Sequence, residues 1–221
     1  MLSVLIPTLN AAPDLPACLA AVKTVADEVV VADGGSTDGT PAIARACGAG
    51  VVAASPGRGG QLMAAAAAAR GDWLLALHAD TTLAGNWAAA ARAFMAAPQG
   101  RECAGYFRLR FDDGAAAARR LEAVVAWRCR RLGLPYGDQG LLLSRALYDA
   151  VGGFRPLPLM EDVDLGRRLG RRRLVALDGE AVTSAARYRR DGYLARSGRN
   201  LACLALYFLG VPPARLRRLY G

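Results

Sequence analysis

The chain has few of the features that mark disulfide-rich, zinc-binding or membrane-spanning proteins. Its five cysteines are scattered, and none forms a C-x-x-C pair. This argues against a disulfide framework or a zinc site and fits a reducing compartment. The longest apolar run near the end, 201–211, is about half of what a bilayer-spanning helix needs. Residues 1–7 are typical of a strand rather than of a signal peptide. We therefore expect a cytoplasmic protein.

Lysine is almost absent, so the basic charge comes from arginine. Lys23 is the only lysine among 28 basic residues, and the formal net charge is +9. Residues 1–100 carry five basic and seven acidic side chains, whereas residues 101–221 carry 23 and 12. A basic carboxyl-terminal half indicates an anionic partner, such as a nucleotide, an anionic lipid surface or a nucleic acid. A cationic face that only keeps the protein soluble is the alternative.

Strand and helix signals alternate over the first hundred residues. Short apolar runs predict strands at 3–7, 28–32, 51–54 and 73–78. Helical patterns between and after them predict helices at 14–25, 41–47, 61–70 and 86–97, with Thr40 as the N-cap of the second. This alternation is typical of βαβ units around a parallel sheet. A length of 221 residues fits one large α/β domain.

The regular alternation of strand and helix signals ends after residue 100. An alternating pattern at 103–111 predicts a half-exposed strand, for which antiparallel pairing is an option. Further elements are predicted at 115–132, 144–151, 161–169, 174–177 and 192–209, all helical except 174–177. No internal repeat and no linker is found, so we predict a single domain over 1–221.

One buried strand runs directly into a carboxylate. The apolar run after Asp72 ends at His78-Ala79-Asp80. Because ligands of open parallel sheets bind beyond the carboxyl ends of the strands, we expect Asp80 at the ligand site. A carboxylate there suits a divalent cation held against a phosphorylated substrate. The alternative is that Asp80 caps the next helix.

Two glycine-rich loops follow the second and third predicted strands. Their sequences are Asp33-Gly34-Gly35-Ser36-Thr37-Asp38-Gly39-Thr40 and Ser55-Pro56-Gly57-Arg58-Gly59-Gly60-Gln61. Both open into helices, whose N-termini favour anions, and neither fits the dinucleotide or P-loop fingerprint. Asp33 is suited to a base or ribose, and Arg58 to a diphosphate. An ordinary Asx-rich turn and an exposed arginine in a flexible loop are the alternatives.

A pair of acids, Glu161 and Asp162, opens the helix predicted at 161–169. Local sequence alone favours the interpretation that they satisfy the helix dipole. A carboxylate close to an active centre can instead deprotonate a hydroxyl nucleophile.

The order of these clusters resembles the family 2 glycosyltransferases of the GT-A fold, over about residues 1–180. The matching segments are Pro7-Thr8-Leu9-Asn10, the Asp33 and Arg58 loops, His78-Ala79-Asp80 and Glu161-Asp162. The resemblance implies a Rossmann-like α/β fold with a mostly parallel central sheet flanked by helices. It also implies inverting transfer of a sugar from a nucleotide-diphosphate donor to a hydroxyl acceptor, with Mg²⁺ or Mn²⁺ as cofactor. Residues 1–100 would be the donor half, 101–190 the acceptor and catalytic half, and 191–221 a helical extension.

Carried over residue by residue, the resemblance assigns Asp80 to the metal and makes Asp162 and Glu161 the catalytic pair, with Asp162 as the general base and Glu161 beside it. The residues implied to bind substrate are Pro7, Thr8, Asn10, Asp33, Gly34, Ser36, Gly57, Arg58, Gly60, Gln61, Ala79, Gly137, Asp138 and Gln139. Since His78 stands where the family's D-x-D motif has its first carboxylate, we expect His78 to support the site rather than ligate metal. Segments 188–193 and 210–213 resemble a compact bacterial branch labelled arsenosugar-biosynthesis glycosyltransferases.

Other functions and partners stay open at this point. A nucleotidyltransferase acting on sugar phosphates would carry a glycine-rich loop with arginine and lysine after its first strand. A non-catalytic nucleotide-binding or RNA-binding module would not need Asp162, and stacking aromatics are too few to favour nucleic acid. The last helix and the cationic segment 214–220 would rest on an anionic membrane, at its inner face, or pack back onto the domain or a second copy.

Overall fold

The computed structural model describes residues 1–220. The strands are β1 (Leu2–Thr8), β2 (Glu28–Asp33), β3 (Gly50–Ala53), β4 (Trp73–Ala76), β5 (Thr81–Ala84), β6 (Ala104–Phe111), β7 (Leu141–Ser144) and β8 (Leu174–Thr183). The helices are α1 (Leu15–Val22), α2 (Thr40–Ala46), α3 (Arg58–Ala68), α4 (Trp87–Ala96), α5 (Ala116–Leu132), α6 (Arg145–Ala150), α7 (Glu161–Leu169), α8 (Ala186–Asp191), α9 (Tyr193–Phe208) and α10 (Pro213–Tyr220). Short 3₁₀ turns lie at Pro98–Glu102, Gly137–Gln139 and Arg171–Arg173.

These strands form one sheet in the order β3-β2-β1-β4-β7-β6-β8-β5. The first four run parallel, as the βαβ pattern predicts. The direction reverses at β7, which pairs antiparallel with β4 and sets Ala76 opposite Leu141. β6 is antiparallel to β7 and parallel to β8, and β5 is the antiparallel edge beside β8. The predicted α/β fold, with a mostly parallel sheet between helices, is confirmed.

Helices cover both faces of the parallel half of the sheet. Neighbouring residues of a strand point to opposite faces, and both Leu5 and Ile6 of β1 are fully buried. Leu5 belongs to the same core cluster as Leu62 of α3, and Ile6 to the same cluster as Leu15 of α1. Burial on both faces explains the continuous apolar character of β1 and β4 and fixes the positions of their ends.

One alternative and one local prediction are wrong. Asp80 does not cap a helix, because the residues after it form β5, whose Thr81 pairs with Thr183 of β8. The N-cap of α2 is Gly39, which has a φ of 86°, rather than Thr40. Since the Thr40 hydroxyl donates to Asp38 at 2.5 Å, it fixes the preceding loop instead.

The carboxyl-terminal helices have one packed and one open side. Leu204 of α9 and Leu216 of α10 are buried in a cluster with Val163 of α7, so this segment packs back onto the protein. Elsewhere on α9, Leu194 and Leu201 are 91% and 66% exposed. Within residues 1–220, no helix combines the length and the apolar character that crossing a membrane would require.

Candidate active site

A cavity of about 680 Å³ opens where β1 and β4 end. Thr8, the last residue of β1, lies on its wall together with Asp80, which follows β4. This position agrees with the rule that ligands bind beyond the carboxyl ends of parallel strands. Asp138 and Asp162 line the same cavity. The fold thus brings carboxylates from both halves of the chain to one cleft.

The predicted substrate-binding residues divide into two groups. Those that line the cavity are Pro7, Thr8, Asn10, Gly57, Arg58, Gln61, Ala79 and Asp138. Those that do not line it are Asp33, Gly34, Ser36, Gly60, Gly137 and Gln139. Several members of the second group hold the first group in place, as their contacts show.

Asp80 is a half-buried carboxylate in the turn between β4 and β5. Its backbone carbonyl accepts a hydrogen bond from the Ser184 amide at 3.2 Å, which ties the turn to the end of β8. Within residues 1–220, no three acidic, histidine or cysteine side chains converge as a ready-made metal site. A single carboxylate nevertheless suits Mg²⁺ or Mn²⁺, because such ions commonly take one or two protein carboxylates and complete their shell with substrate phosphates and water.

His78 lies on the cavity wall beside Gly137. Its Nε2 atom is buried without a hydrogen-bond partner within residues 1–220, and a side chain at position 137 would collide with the ring. Burial lowers the pKa of His78, and the nearby Arg58 guanidinium lowers it further, so the ring is neutral at pH 7. The ring therefore packs against the backbone of the Gly137 turn.

Asp162, near the start of α7, is held by two backbone amides, one from the Gly137 turn and one from α7 itself. Its Oδ2 atom accepts from the Gly137 amide at 2.8 Å, and its Oδ1 atom from the Val163 amide at 2.7 Å. The residue two positions earlier, Met160, has a left-handed backbone with a φ of 67°. Such a conformation in a non-glycine residue is uncommon and costs about 1–3 kcal/mol, and it turns the chain sharply into α7. The Asp162 carboxylate consequently faces the cavity in a fixed orientation.

Glu161, its neighbour, points away from the main cavity. It is fully buried, and its Oε1 atom lies 2.9 Å from Nε of Arg58. The two groups meet at ion-pair distance without the alignment of a hydrogen bond. Burial raises the pKa of Glu161 to about 7, against the opposing effect of Arg58. This pair links the beginnings of α3 and α7.

The Asp33 carboxylate is occupied by its own loop. It accepts hydrogen bonds from the hydroxyls of Thr8 and Ser36, at 3.0 and 2.5 Å, and from the amides of Gly35 and Ser36, at 3.0 and 2.8 Å. Four donors fill the acceptor sites that a carboxylate offers. Burial opposes ionisation, but these bonds outweigh it and lower the pKa of Asp33. Asp33 therefore stabilises the loop beside Thr8.

Asn10 joins the loops that follow β1 and β2. It has a left-handed φ of 52°, and its side-chain oxygen accepts from the Thr37 amide at 2.9 Å. Its own amide donates to the Ser36 hydroxyl at 2.8 Å. Asn10 thus forms part of the cavity wall and also closes the first glycine-rich loop.

Gln61 ties together three chain segments at the cavity floor. Its buried Nε2 atom donates to the carbonyls of Thr8, at 2.6 Å, and Ala32, at 2.9 Å, while its Oε1 atom accepts from the Gly57 amide at 3.3 Å.

A methyl group at Gly59 would collide with the carbonyl oxygens of Arg155 and Leu157. Gly59 was not among the predicted site residues, yet it is the glycine of this loop that close packing requires.

The turn before β7 places one more carboxylate on the wall. Oδ1 of Asp138 is buried without a hydrogen-bond partner within residues 1–220. Burial raises the pKa of Asp138 to about 6, and the charges of Asp162 and Asp80 contribute to the rise. Gln139 lies behind it and donates to the carbonyl of Phe107 at 3.0 Å. Asp138 can therefore exchange a proton near neutral pH within this cleft.

Several arginines on the wall were not predicted. Arg128 lies on the Tyr136 ring at 3.4 Å and donates to the Leu134 carbonyl. Arg187, just after β8, is exposed and has no ion pair within residues 1–220. It lines the cavity, and its charge contributes to lowering the pKa of His78. In an arginine-rich sequence, no local signal distinguishes arginines that line a cavity from arginines on the outer surface.

A family model described as glycosyl transferase family 2 matches residues 3–157. This is well over half of the chain, and it ends before Glu161 and Asp162. A TPR repeat-containing protein of Synechococcus elongatus is 46% identical over 71 residues, which are 31% of this chain. The match spans only 18% of that curated relative's length.

Crystal structures of glucosyl-3-phosphoglycerate synthase from Mycobacterium tuberculosis share the fold. A complex with phosphoglyceric acid has a TM-score of 0.55 and 21% identity, over 83% of this chain and 70% of that one. A complex with Mn²⁺ and UDP-glucose has a TM-score of 0.57 and 21% identity, over 83% and 69%. A complex with Mg²⁺ and UDP has a TM-score of 0.58 and 22% identity, with the same coverage.

Proposed function

The chain belongs to glycosyl transferase family 2, and we propose that it transfers a sugar, with inversion, from a nucleotide-diphosphate donor to a hydroxyl acceptor. The observation that carries this proposal is the shared cavity of Asp80, Asp138 and Asp162. Such a transfer needs one carboxylate that binds a metal ion and another that accepts a proton. Here the carboxylates come from opposite halves of the fold.

The donor half of the cavity is proposed to hold the nucleotide. Pro7, Thr8 and Asn10 line it, with the Asp33 loop fixed directly behind Thr8. Under this proposal Asp33 acts mainly by holding Thr8 and the loop, because its carboxylate is already fully hydrogen-bonded. Gln61 fixes the floor on which the nucleotide would rest.

The diphosphate is proposed to lie between Asp80 and the cations of the wall. Arg58 and Arg187 both line the cavity and would donate to phosphate oxygens. Asp80 would hold Mg²⁺ or Mn²⁺, and the bound ion would neutralise the charge that develops on the departing diphosphate. Complexes of the mycobacterial synthase contain Mn²⁺ or Mg²⁺ with UDP or UDP-glucose, so UDP-glucose is the first donor to test.

Asp162 is proposed to act as the general base. Two backbone amides fix its carboxylate at the cavity wall, which gives a hydroxyl acceptor a defined direction of approach. The acceptor oxygen would attack the anomeric carbon on the face opposite the diphosphate, through an oxocarbenium-like transition state, and Asp162 would take its proton. Inversion at the anomeric carbon follows from this single displacement.

A panel of nucleotide sugars tests the donor assignment. Thermal unfolding with and without Mn²⁺ should show a higher Tm for the true donor, because a ligand that binds only the folded state stabilises it by mass action. The anomeric configuration of the product, read by NMR, tests inversion. Retention of configuration, or no metal-dependent shift for any nucleotide sugar, would contradict the proposal.

A further inference from the structure

The end of the cavity that is formed by α9 and α10, here called the distal end, has a basic and apolar lining. The residues there are Arg196, Ser197, Asn200, Leu201, Leu204, Arg217 and Tyr220. None of them is acidic, whereas the carboxylates that line the cavity, Asp14, Asp80, Asp138 and Asp162, all lie outside α9 and α10. The lining contributed by α9 and α10 therefore favours the negatively charged group of a ligand.

Arg196 is the most deeply buried cation of the distal end. Only 1% of its surface is exposed, and its guanidinium packs against the Tyr220 ring at 4.4 Å. Nη1 donates to the Tyr220 carbonyl at 3.0 Å and also forms an ion pair with Oδ2 of Asp191 at 3.4 Å. Nη2 is buried and has no hydrogen-bond partner within residues 1–220. A buried cationic donor without an acceptor is an unfilled binding position, because such groups are normally paired.

Two neighbours of Arg196 complete the position. Asn200 lies four residues later on the same face of α9, and its Oδ1 atom is also buried without a partner within residues 1–220. Arg217 of α10 is exposed, lines the cavity and forms no ion pair in the described part of the chain. The buried Nη2 donor of Arg196, the cation of Arg217 and the Oδ1 acceptor of Asn200 therefore belong to the lining of one cavity.

We infer that the distal end is a subsite for an acidic group of the acceptor, either a phosphate or a carboxylate, held by Arg196 and Arg217. A hydroxyl on the same molecule would donate to Asn200. Guanidinium groups bind such anions through paired N–H donors, which also fixes the anion's orientation. This inference rests on the proposed function, since it names the chemical class of the acceptor.

The acidic group can belong to a soluble molecule or to a lipid. Val124 and Leu201 line the cavity and are 59% and 66% exposed, so an apolar rim borders the subsite. Both sources share the same recognition by Arg196 and Arg217. The experiment therefore compares them directly.

Binding is measured by calorimetry on the full chain at constant ionic strength. Glycerol 3-phosphate, glycerate and glycerol share one backbone and differ in charge, and phosphatidic acid vesicles are compared with phosphatidylcholine vesicles. We expect the charged soluble probes or the acidic vesicles to bind, and glycerol and phosphatidylcholine not to bind. Binding by soluble probes identifies a soluble acceptor, and binding by acidic vesicles alone identifies a lipid. No preference for charge in either arm would overturn the inference.

Variants on α10 provide a matched comparison. Arg217→Gln should weaken binding of the acidic probe at least tenfold, whereas Arg218→Gln, on the same exposed helix but outside the cavity lining, should leave it unchanged. Equal losses in both variants would indicate only general attraction to a basic helix and would overturn the inference. Arg196→Gln is expected to lose binding as well, and Arg217→Gln carries the test if that variant does not fold.

Hydrolysis of UDP-glucose without acceptor separates this inference from the proposed function. A wild-type protein that binds or hydrolyses a nucleotide sugar but ignores every acidic probe would refute the acidic subsite alone. A protein that neither binds nor hydrolyses any nucleotide sugar would refute the proposed function, whatever the acidic probes do.

Discussion

Nε of Arg58 and Oε1 of Glu161 lie 2.9 Å apart beneath the cavity, at the beginnings of α3 and α7. Glu161 is fully buried, whereas 29% of the Arg58 side chain is exposed and its guanidinium reaches the cavity wall. The pair therefore connects the first hundred residues of the chain to the part that follows them. In our proposal Glu161 is a positioning residue that holds Arg58, and it does not touch the reactants.

Removing Glu161, the partner of Arg58, should destabilise the fold. Glu161→Ala should lower the free energy of unfolding by about 3 kcal/mol, the lower end of the range for breaking a buried pair, because Arg58 is partly hydrated. Urea denaturation measures the change. Arg108→Ala breaks the exposed pair with Glu180 and should cost less than about 1 kcal/mol. Similar losses in the two variants would show that burial of Glu161 is unimportant.

Asp162→Asn should separate binding from transfer. The amide has nearly the same size but cannot take a proton, and it keeps only one of the two oxygens that accept backbone hydrogen bonds, so we expect sugar transfer to fall on the order of a hundredfold or more. Donor affinity, measured by calorimetry, should change little. Asp149→Asn, at an exposed position on α6, is the control and should transfer normally. Normal turnover in Asp162→Asn would remove Asp162 from the mechanism.

Asp80→Ala should abolish the dependence of nucleotide binding on a divalent cation. The variant removes the proposed metal-binding carboxylate and leaves Thr8 and Asn10 in the cavity lining. Calorimetric titration of UDP with and without Mn²⁺ should then give equal affinities, whereas the wild type should bind more tightly with Mn²⁺. A variant that keeps the Mn²⁺ effect would place the metal elsewhere.

Stability should depend on pH through Asp138. Its pKa rises on folding to about 6, so the native state binds the proton more tightly than the unfolded state. This contribution is complete below about pH 4 and is lost as the pH rises through 6. Relative to Asp138→Asn, the wild type should therefore lose on the order of 1–2 kcal/mol between pH 4 and pH 7. Urea denaturation of both proteins across this range checks the sign, and a constant difference would contradict it.

Neighbouring glycines in the second loop should respond in opposite ways to alanine. Gly59→Ala should lose about 2 kcal/mol or more, because the new methyl group collides with two backbone carbonyls. Gly60 faces open space within α3, so Gly60→Ala should gain about 0.5–1 kcal/mol from helix propensity. Thermal unfolding of the two variants measures both effects. Equal destabilisation would mean that the loop lies differently against 155–157.

The sequence predicted the parallel half of the sheet well because its signals are local. Buried strands, helix stops and glycine loops alternate there, and each pattern carries its own period. The reversal at β7 was not predictable, since its short run of three leucines indicates a strand but not the direction in which that strand pairs. β5 was also missed, because Thr81–Ala84 is short and is stabilised only by pairing with β8.

For the candidate site, too, local signals could be read from the sequence and long-range contacts could not. Asp80 was identified from its place at the end of a buried strand, which is a local signal. The burial of Glu161, the filled hydrogen bonds of Asp33 and the role of Gly59 depend on residues far away in the chain. Propensity and periodicity do not contain such contacts, so only the folded arrangement separates wall residues from those that support them.

The antiparallel joint of β4 and β7 has a further consequence. Because Ala76 lies opposite Leu141, the loop that leaves one strand sits beside the loop that enters the other, and His78 meets Gly137 there. A substitution that enlarges either loop would therefore press on the other, as a side chain at position 137 would on the His78 ring. Under the proposed function, a change of recipient would then call for a compensating change on the side of the cleft that holds the sugar carrier.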